Sequence, residues 1–298
     1  MQAEQLLKQG DIEGALAALQ DRVRKAPDDP RLRVFLFQLL CVLGNWSRAI
    51  GQLKTCATLS PAMNDMAQMY RTAILGERQR ERVFLGEADP VVLGEPADWM
   101  AWMIEALKLQ IRGHDAAAAD LRARAFDAAP AAAGTLNGEA FSWVADADSR
   151  LGPVLELIVN GRYVWAPFTA LHRLQLEAPV DLRDRVWMPA TVTWSNGGEA
   201  IVLIPTRYAG TTESRDNQLR LAGATQWEGA QGEGAQGEGA QGEGVQGDGN
   251  SSLLTKGIGQ RVLATDRVDC ALMDLRELVI GDQPVVFDAA PVDGADHG

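Results

Sequence analysis

The sequence predicts an α+β protein in which all-α helical repeats precede a β-rich domain built as an antiparallel sheet or small barrel. Three observations carry this prediction. A Gly–Ala–Pro pattern recurs in the first 130 residues, the apolar period changes after Pro130 from helical to alternating, and Asn-Gly turns divide the apolar runs beyond it. The expected divisions are 1–135 for the repeats, 136–280 for the β-rich domain, and 281–298 for a flexible acidic tail.

The repeat triplets are Gly10/Ala15/Pro27, Gly44/Ala49/Pro61 and Gly113/Ala118/Pro130, with Ala five residues after Gly and Pro twelve after Ala. The first two units lie 34 residues apart, the tetratricopeptide period. The third lies 69 beyond the second, so 62–98 is expected to hold a degenerate repeat with Leu75, Val83, Phe84 and Pro96 as its remnants. Each position has a mechanical reason. The glycine permits the positive-φ turn that ends a first helix, the alanine lets two antiparallel helices approach, and the proline stops the second helix. Leu36, Leu40, Leu43, Ile50 and Leu53 supply apolar faces at helical spacing, and Trp46 fills a position where this repeat carries a large aromatic. Two departures are visible: the first unit lacks most of its leading helix, and Arg122 stands where a large apolar residue is expected. This half resembles a tetratricopeptide-repeat domain. Such stacks curve, and their concave face is a common groove for a partner's peptide or helix. Arg31, Arg33, Phe37, Gln38 and Cys41, on the first helix of the best repeat, are the candidate partner-binding residues. The competing reading makes Phe37 core and the two arginines solvated.

Beyond Pro130, residues 139–150 read as a helix joining the halves. VLELIV–NG–RYVWAPF (154–168) and WMPATVTW–SNGG–EAIVLIP (187–205) read as hairpins. HRLQLE (172–177) and QRVLATD (260–266) add strands, and CALMDLREL (270–278) a closing strand or short helix. Trp143, Trp165, Trp187 and Trp194 are expected in the sheet core. Residues 211–256 contain a five-residue repeat of Glu, Gly, Ala/Val, Gln and Gly with nothing large to bury, so a mobile loop is expected there. Calcium-binding β-helix repeats need nine residues with a regular aspartate, which this run lacks.

Composition narrows the function. The 298 residues carry 28 Lys+Arg against 40 Asp+Glu, a net charge of −12, so neither nucleic acid nor an anionic membrane is an expected partner. The excess is uneven: residues 1–130 hold 16 bases and 17 acids, the remainder 12 and 23. Cys41, Cys56 and Cys270 are too few and too scattered for a disulfide framework or zinc site. The start, MQAEQLLKQGDIEG, predicts no signal peptide, and the longest apolar run (Val34 to Leu43) is too short to span a bilayer, so a cytoplasmic protein is expected.

No HExxH, GxSxG, metal-ligand spacing or phosphate loop accompanies His114, His172 and His297, so no catalytic, metal or cofactor residues are assigned. The most suggestive polar cluster is Asp146, Asp148, Ser149 and Arg150, with Glu156 just beyond; paired carboxylates there would suit a hydrolase. The alternative is that they cap and charge a helix-to-strand junction, with Arg150 pairing an acid. Arg162, Asp181, Arg183, Asp184 and Arg185 read as a salt-bridged surface.

Four blocks, LRVFLFQLLCVLGNW (32–46), WVADADSRLGPVLELIVNGRYVWAPF (143–168), DLRDRVWMPATVTWSNGGEAIVLIPTRY (181–208) and GIGQRVLATD (257–266), resemble the ImpE/TagJ (SciE) family of bacterial type VI secretion accessory proteins. The resemblance spans about residues 3–280, leaving out the pentapeptide insertion and the tail. It implies a non-enzymatic cytoplasmic adaptor. Its implied partners are the small contractile-sheath subunit, bound through that subunit's N-terminal helix, and the AAA+ ATPase that disassembles contracted sheath. A general repeat scaffold unrelated to secretion is the remaining reading.

Overall fold

The computed structural model describes residues 2–94, 97–229 and 255–281. Pro96, the pentapeptide repeat over 230–254, and the tail from 282 with His297 lie outside the described residues, and the expectations placed on them lie there too.

Three antiparallel helix pairs form where the Gly–Ala–Pro pattern places them. They are α1 (Gln2–Lys8) with α2 (Ile12–Lys25), α3 (Pro30–Val42) with α4 (Trp46–Leu59), and, after the α5 segment, α6 (Asp98–Ile111) with α7 (Asp115–Ala128). Gly44 turns the second pair at φ +68°, and a Cβ there would meet the Thr212 side chain at 3.0 Å. Ala15, Ala49 and Ala118 are completely buried where the paired helices meet. Asp11 and Asp29 cap α2 and α3, their carboxylates accepting the N–H of Gly14 at 2.8 Å and of Arg31 at 2.9 Å. Pro30 opens α3 at a position where its missing N–H is no loss.

The interval 62–98 is not a degenerate helical pair. With no proline between Asn64 and Phe84 and with Gly76 kept helical, α5 (Asn64–Phe84) runs 21 residues without a break, and Leu75 is exposed rather than a core remnant. The chain then extends into β1 (Val91–Val92). Arg122, on α7, is fully buried. Its Nη2 donates to Gln110 Oε1 at 2.8 Å, while Nε and Nη1 have no hydrogen-bond partner among the described residues.

The β half opens with β2 (Gly134–Leu136), β3 (Glu139–Phe141), β4 (Val144–Asp146), β5 (Val154–Val159) and β6 (Arg162–Pro167). There follow β7 (Leu171–Leu176), β8 (Trp187–Trp194), β9 (Glu199–Pro205), the short helix α8 (Asn217–Arg220) and β10 (Thr225–Gly229). It closes with β11 (Thr255–Gly259), β12 (Val262–Thr265), β13 (Asp269–Ala271) and β14 (Glu277–Ile280). Nine strands make one sheet in the order β1-β6-β5-β9-β8-β7-β14-β2-β3. Every pairing is antiparallel except β1 with β6. Strands β10–β11 and β13–β12–β4 form two smaller sheets.

Both Asn-Gly hairpins close where expected, β5–β6 around Asn160-Gly161 and β8–β9 around Asn196-Gly197. Residues 139–150 are not helical. Asn137-Gly138, both at positive φ, folds β3 back on β2, and β4 follows. The stretch 270–278 divides into β13, a 3-10 turn and β14. The loop expected over 211–256 is ordered at both ends, holding a 3-10 turn at Thr211–Glu213, α8, β10 and the start of β11. Trp165 and Trp187 are core, Trp194 is half-buried, and Trp143 is exposed at 42 %.

Alternation along the central strands assigns each face of the sheet to a different core. Val154 and Ile158, Tyr163 and Trp165, Trp187 and Leu203 pack with the helices. Leu155 and Leu157, Val164 and Ala166, Met188 and Ala190, Val202 and Ile204 point the other way. That second core draws side chains from β2 and β3 at one end of the sheet as well as from β5 and β6 near the other, so the sheet curls around it. Across the first core the rings of Phe37, Tyr70, Trp187 and Trp46 follow one another at 5.5, 6.2 and 5.9 Å, carrying one packed path from α3 through α5 and β8 to α4. The segment after β9 then runs along the turns of the repeats. Asn217 Nδ2 donates to Gly10 O at 2.8 Å and Arg207 Nη1 to Val42 O at 2.8 Å.

Two substitutions test this packing. A Cβ at Gly76 would stand 2.9 Å from Ile158 Cγ2, so Gly76→Leu is expected to lower the unfolding free energy by about 1–2 kcal/mol net of its gain in helix propensity. A urea midpoint that stayed put or rose would mean α5 does not sit on β5 at this residue. Arg122→Met removes a buried charge with two unpaired donors and is expected to stabilise the fold by about 1 kcal/mol or more. Calorimetric melting checks it, and a lowered Tm would show that the guanidinium is held favourably.

Candidate functional site

The DADSR stretch builds its geometry locally. The Asp148 N–H donates to Asp146 Oδ1 at 2.9 Å, and the Arg150 N–H donates to Asp148 Oδ1 at 2.9 Å, so two aspartates turn the chain in succession. Arg150 folds back so that its Nε lies 2.9 and 3.1 Å from the two Asp148 oxygens, and the Gly257 N–H adds a donor at 2.9 Å. Arg150 thus pairs an acid, but at a strand-to-strand junction.

Glu156 lies on the helix-facing side of β5 and is fully buried. Arg80, from α5, grips it with Nε at 2.7 Å and Nη2 at 2.8 Å. Arg261, which precedes β12, donates to both Glu156 and Asp146, and the Tyr163 hydroxyl donates to Glu156. Trp165 Nε1 donates in turn to that hydroxyl at 2.6 Å. Arg80 also reaches Glu77 at 2.9 Å, whose second oxygen accepts Trp187 Nε1 at 3.0 Å. The result is a buried relay, Glu77–Arg80–Glu156–Arg261–Asp146, that crosses from the helical layer through the large sheet to a small one.

Burial alone would raise the Glu156 carboxyl, but Arg80 and Arg261 outweigh it and hold the pKa at about 2. Burial pushes Asp146 up to about 7 against the pull of Arg261. Hydrolytic chemistry needs a carboxylate that substrate or water can reach. Asp146, Asp148 and Glu156 are at most 3 % exposed, and their oxygens face guanidinium and backbone donors. Asp146 and Glu156 come together on Arg261 as a structural charge relay, and Asp148 is held beside them by Arg150, so none of the three presents a free carboxylate to substrate. Among the described residues no group of His, Cys, Asp and Glu could hold a metal ion.

The five residues expected to face a groove separate. Phe37 and Cys41 are completely buried and Gln38 is 6 % exposed, because the inner side of α3 is covered by the chain's own β half. Arg207 donates to the carbonyls of Val42 and Cys41, and Leu182 packs into the shared core. Arg33 turns away, its Nε on Pro27 O at 2.9 Å and its Nη1 on Gln52 Oε1 at 3.0 Å. Arg31 is exposed. It lines an open groove between α1, the start of α3 and the 179–185 loop, together with Leu7, Val34, Phe35, Gln38 and Val180. Val180 is 90 % exposed at the groove's edge. Sequence reasoning missed Leu7, Val34, Phe35 and Val180; the signal for the α3 pair was an apolar couple beside Arg31 on a helix whose other side was already committed.

Asp181, Arg183 and Asp184 are salt-bridged as expected, Arg183 meeting Asp181 at 2.7 Å and Asp184 at 3.7 Å, while Arg162 is exposed at the start of β6. Asp184 is buried and accepts the N–H groups of Val180 and Asp181 at 2.8 Å each, which fixes the groove's far wall. Arg183 lies over the Tyr70 ring at 5.0 Å. No helix among the described residues is long and apolar enough to cross a membrane.

Comparison with known proteins places these features. Residues 138–279 match the family model described as ImpE protein, and residues 6–58 match a tetratricopeptide repeat. The chain is 47 % identical over 278 residues to the type VI secretion system accessory component TagJ of Pseudomonas aeruginosa, covering 93 % of this chain and 90 % of that protein. The crystal structure of protein VPA1032 from Vibrio parahaemolyticus shares the fold at a TM-score of 0.80 and 21 % identity, over 95 % of this chain and 99 % of that one.

Glu156→Gln leaves two buried guanidinium groups short of a counter-charge and is expected to cost about 3–5 kcal/mol of stability. The pH dependence has two limbs of opposite sign. The lowered Glu156 value makes its contribution present above its ordinary 4.5 and lost as the pH falls toward about 2. The raised Asp146 value makes its contribution present below 3.8 and lost as the pH rises through about 7. Denaturant melts across this range should show both limbs, with the acid limb smaller in Glu156→Gln. An unchanged acid limb in that variant would remove Glu156 as its source.

Proposed function

The chain belongs to the ImpE family, and from that membership we propose that it serves as a non-enzymatic cytoplasmic adaptor of a bacterial type VI secretion system. The 47 % identical TagJ, named a type VI secretion system accessory component, supports the accessory role. The adaptor binds the small contractile-sheath subunit through that subunit's N-terminal helix and connects it with the AAA+ ATPase that takes contracted sheath apart.

The observation that carries this reading is the groove beside Arg31. Its walls offer Leu7, Val34, Phe35 and Val180 to an apolar stripe, while Lys8, Arg31 and Arg185 offer cations to the polar flank of a helix. Residues of an amphipathic helix at i, i+3, i+4 and i+7 would enter such a channel side by side, and burial of that stripe supplies affinity at roughly 25 cal/mol per Å² before ordering costs are subtracted. A general repeat scaffold unrelated to secretion would differ only in its partner, and the 47 % identity to a type VI secretion accessory component disfavours it. The hydrolase reading is disfavoured by the closed relay around Glu156.

A peptide of the sheath subunit's N-terminal helix is expected to bind the full chain in titration calorimetry. Val180→Asp and Arg31→Glu, both at exposed positions, should each weaken that binding about tenfold, or ~1.4 kcal/mol, with Tm unchanged. Wild-type affinity in both variants would remove the groove from the interface. A flat titration of wild type, together with failed co-purification, would remove the sheath helix as the partner.

A further inference from the structure

A second cavity, of about 430 Å³, opens at the seam between α5 and the segment that follows β9. Arg80, Arg150, Arg207 and Lys256 reach it, with Phe84 and Tyr208 on its walls. Three of these cations already have acids: Arg80 holds Glu77 and Glu156, Arg150 holds Asp148, and Lys256 meets Glu228 at 2.8 Å on the rim. Arg207 has none. It is 4 % exposed, and its hydrogen bonds run to the carbonyls of Val42, Cys41 and Arg220. No carboxylate among the described residues lies within ion-pair distance of it, and the acid acting on it, Glu77, is committed to Arg80 and Trp187. A buried guanidinium whose acceptors are all neutral carbonyls, on a residue that lines a cavity, makes that cavity favourable to an anion.

We propose that this seam cavity binds a small organic oxyanion, its phosphate or carboxylate head on Arg207 and Lys256 and its apolar body against Phe84. The other acids on the wall leave room for that charge. Glu81 accepts Trp46 Nε1 at 2.6 Å, and partial burial raises its carboxyl above the ordinary range. Glu213 is exposed at the rim. Phe84 already has the guanidinium groups of Arg80 and Arg150 over its ring at 5.6 and 5.0 Å, so an anion beside it enters a positive neighbourhood. The site is separate from the groove beside Arg31, and a ligand here would touch α5 and the post-β9 segment together, bridging the two halves of the chain.

Titration calorimetry of the full chain with phenyl phosphate, benzoate, inorganic phosphate and uncharged phenol tests the proposal. One-site binding of phenyl phosphate or benzoate is expected, with inorganic phosphate weaker and phenol silent; whichever aromatic anion binds more tightly identifies the head group. Lys256→Glu on the rim should weaken binding about tenfold or more without unfolding the chain. Arg207→Met should abolish binding, and where loss of its carbonyl contacts unfolds the protein, the Lys256→Glu result decides alone. No saturable heat from any anion at millimolar concentration, phenol binding as well as the anions, or an unchanged affinity in Lys256→Glu would overturn the assignment.

Discussion

Glu156 is the point at which the two halves are obliged to meet. An isolated carboxylate in a protein interior costs several kcal/mol, and this one is tolerated because Arg80 arrives from the helical layer and Arg261 from beyond the large sheet. Each arginine holds a second acid, Arg80 reaching Glu77 and Arg261 reaching Asp146, but Glu156 is the one they share. The helical repeats and the sheet are therefore not beads on a string: their shared core, with the ring path from Phe37 to Trp46, closes over a charge set balanced only when both are in place. Apolar packing supplies most of the driving force, and the relay fixes the register in which the layers dock. A helix shifted by one residue along β5 would strand a guanidinium in hydrocarbon.

Local chemistry was legible in the sequence, and long-range docking was not. Gly44, Ala49 and Pro61 announce a helix pair because turn, close approach and stop are decided within one repeat. Asn160-Gly161 announces a hairpin because positive φ at Asn160 and Gly161 suits its tight turn. The stretch 139–150 defeated the same reasoning: its alanines and acids suit a helix, but Asn137-Gly138 folds β3 onto β2 just before it, and β4 takes its partner, β12, from far along the chain. α5 was missed for a related reason. A remnant repeat was expected there, whereas an uninterrupted helix is what carries Glu77 and Arg80 to the sheet.

The candidate site was half visible for the same physical reason. Arg150, which holds Asp148, stands two residues away and was readable as an acid's partner, but Arg80 and Arg261, which hold Glu156 and Asp146, are distant in sequence, and their part appears only when the layers are stacked. Phe37 and Cys41 look like groove residues on a lone helix pair and become core once the β half covers it. Arg31 stays outside because α3 begins beyond the edge of that cover. A repeat stack that gives its inner face to its own sheet keeps binding surface only at the margins, where α1 and the 179–185 loop leave a channel between them.

The hairpin of β10 and β11 has a consequence of a different kind. Gly229 faces Thr255, and four further pairs run back to Thr225 and Gly259, so the points where the pentapeptide tract leaves and re-enters are held side by side. The entropy of closing a segment across a fixed gap grows only with the logarithm of its length. One five-residue unit more or fewer is thus almost weightless to the architecture.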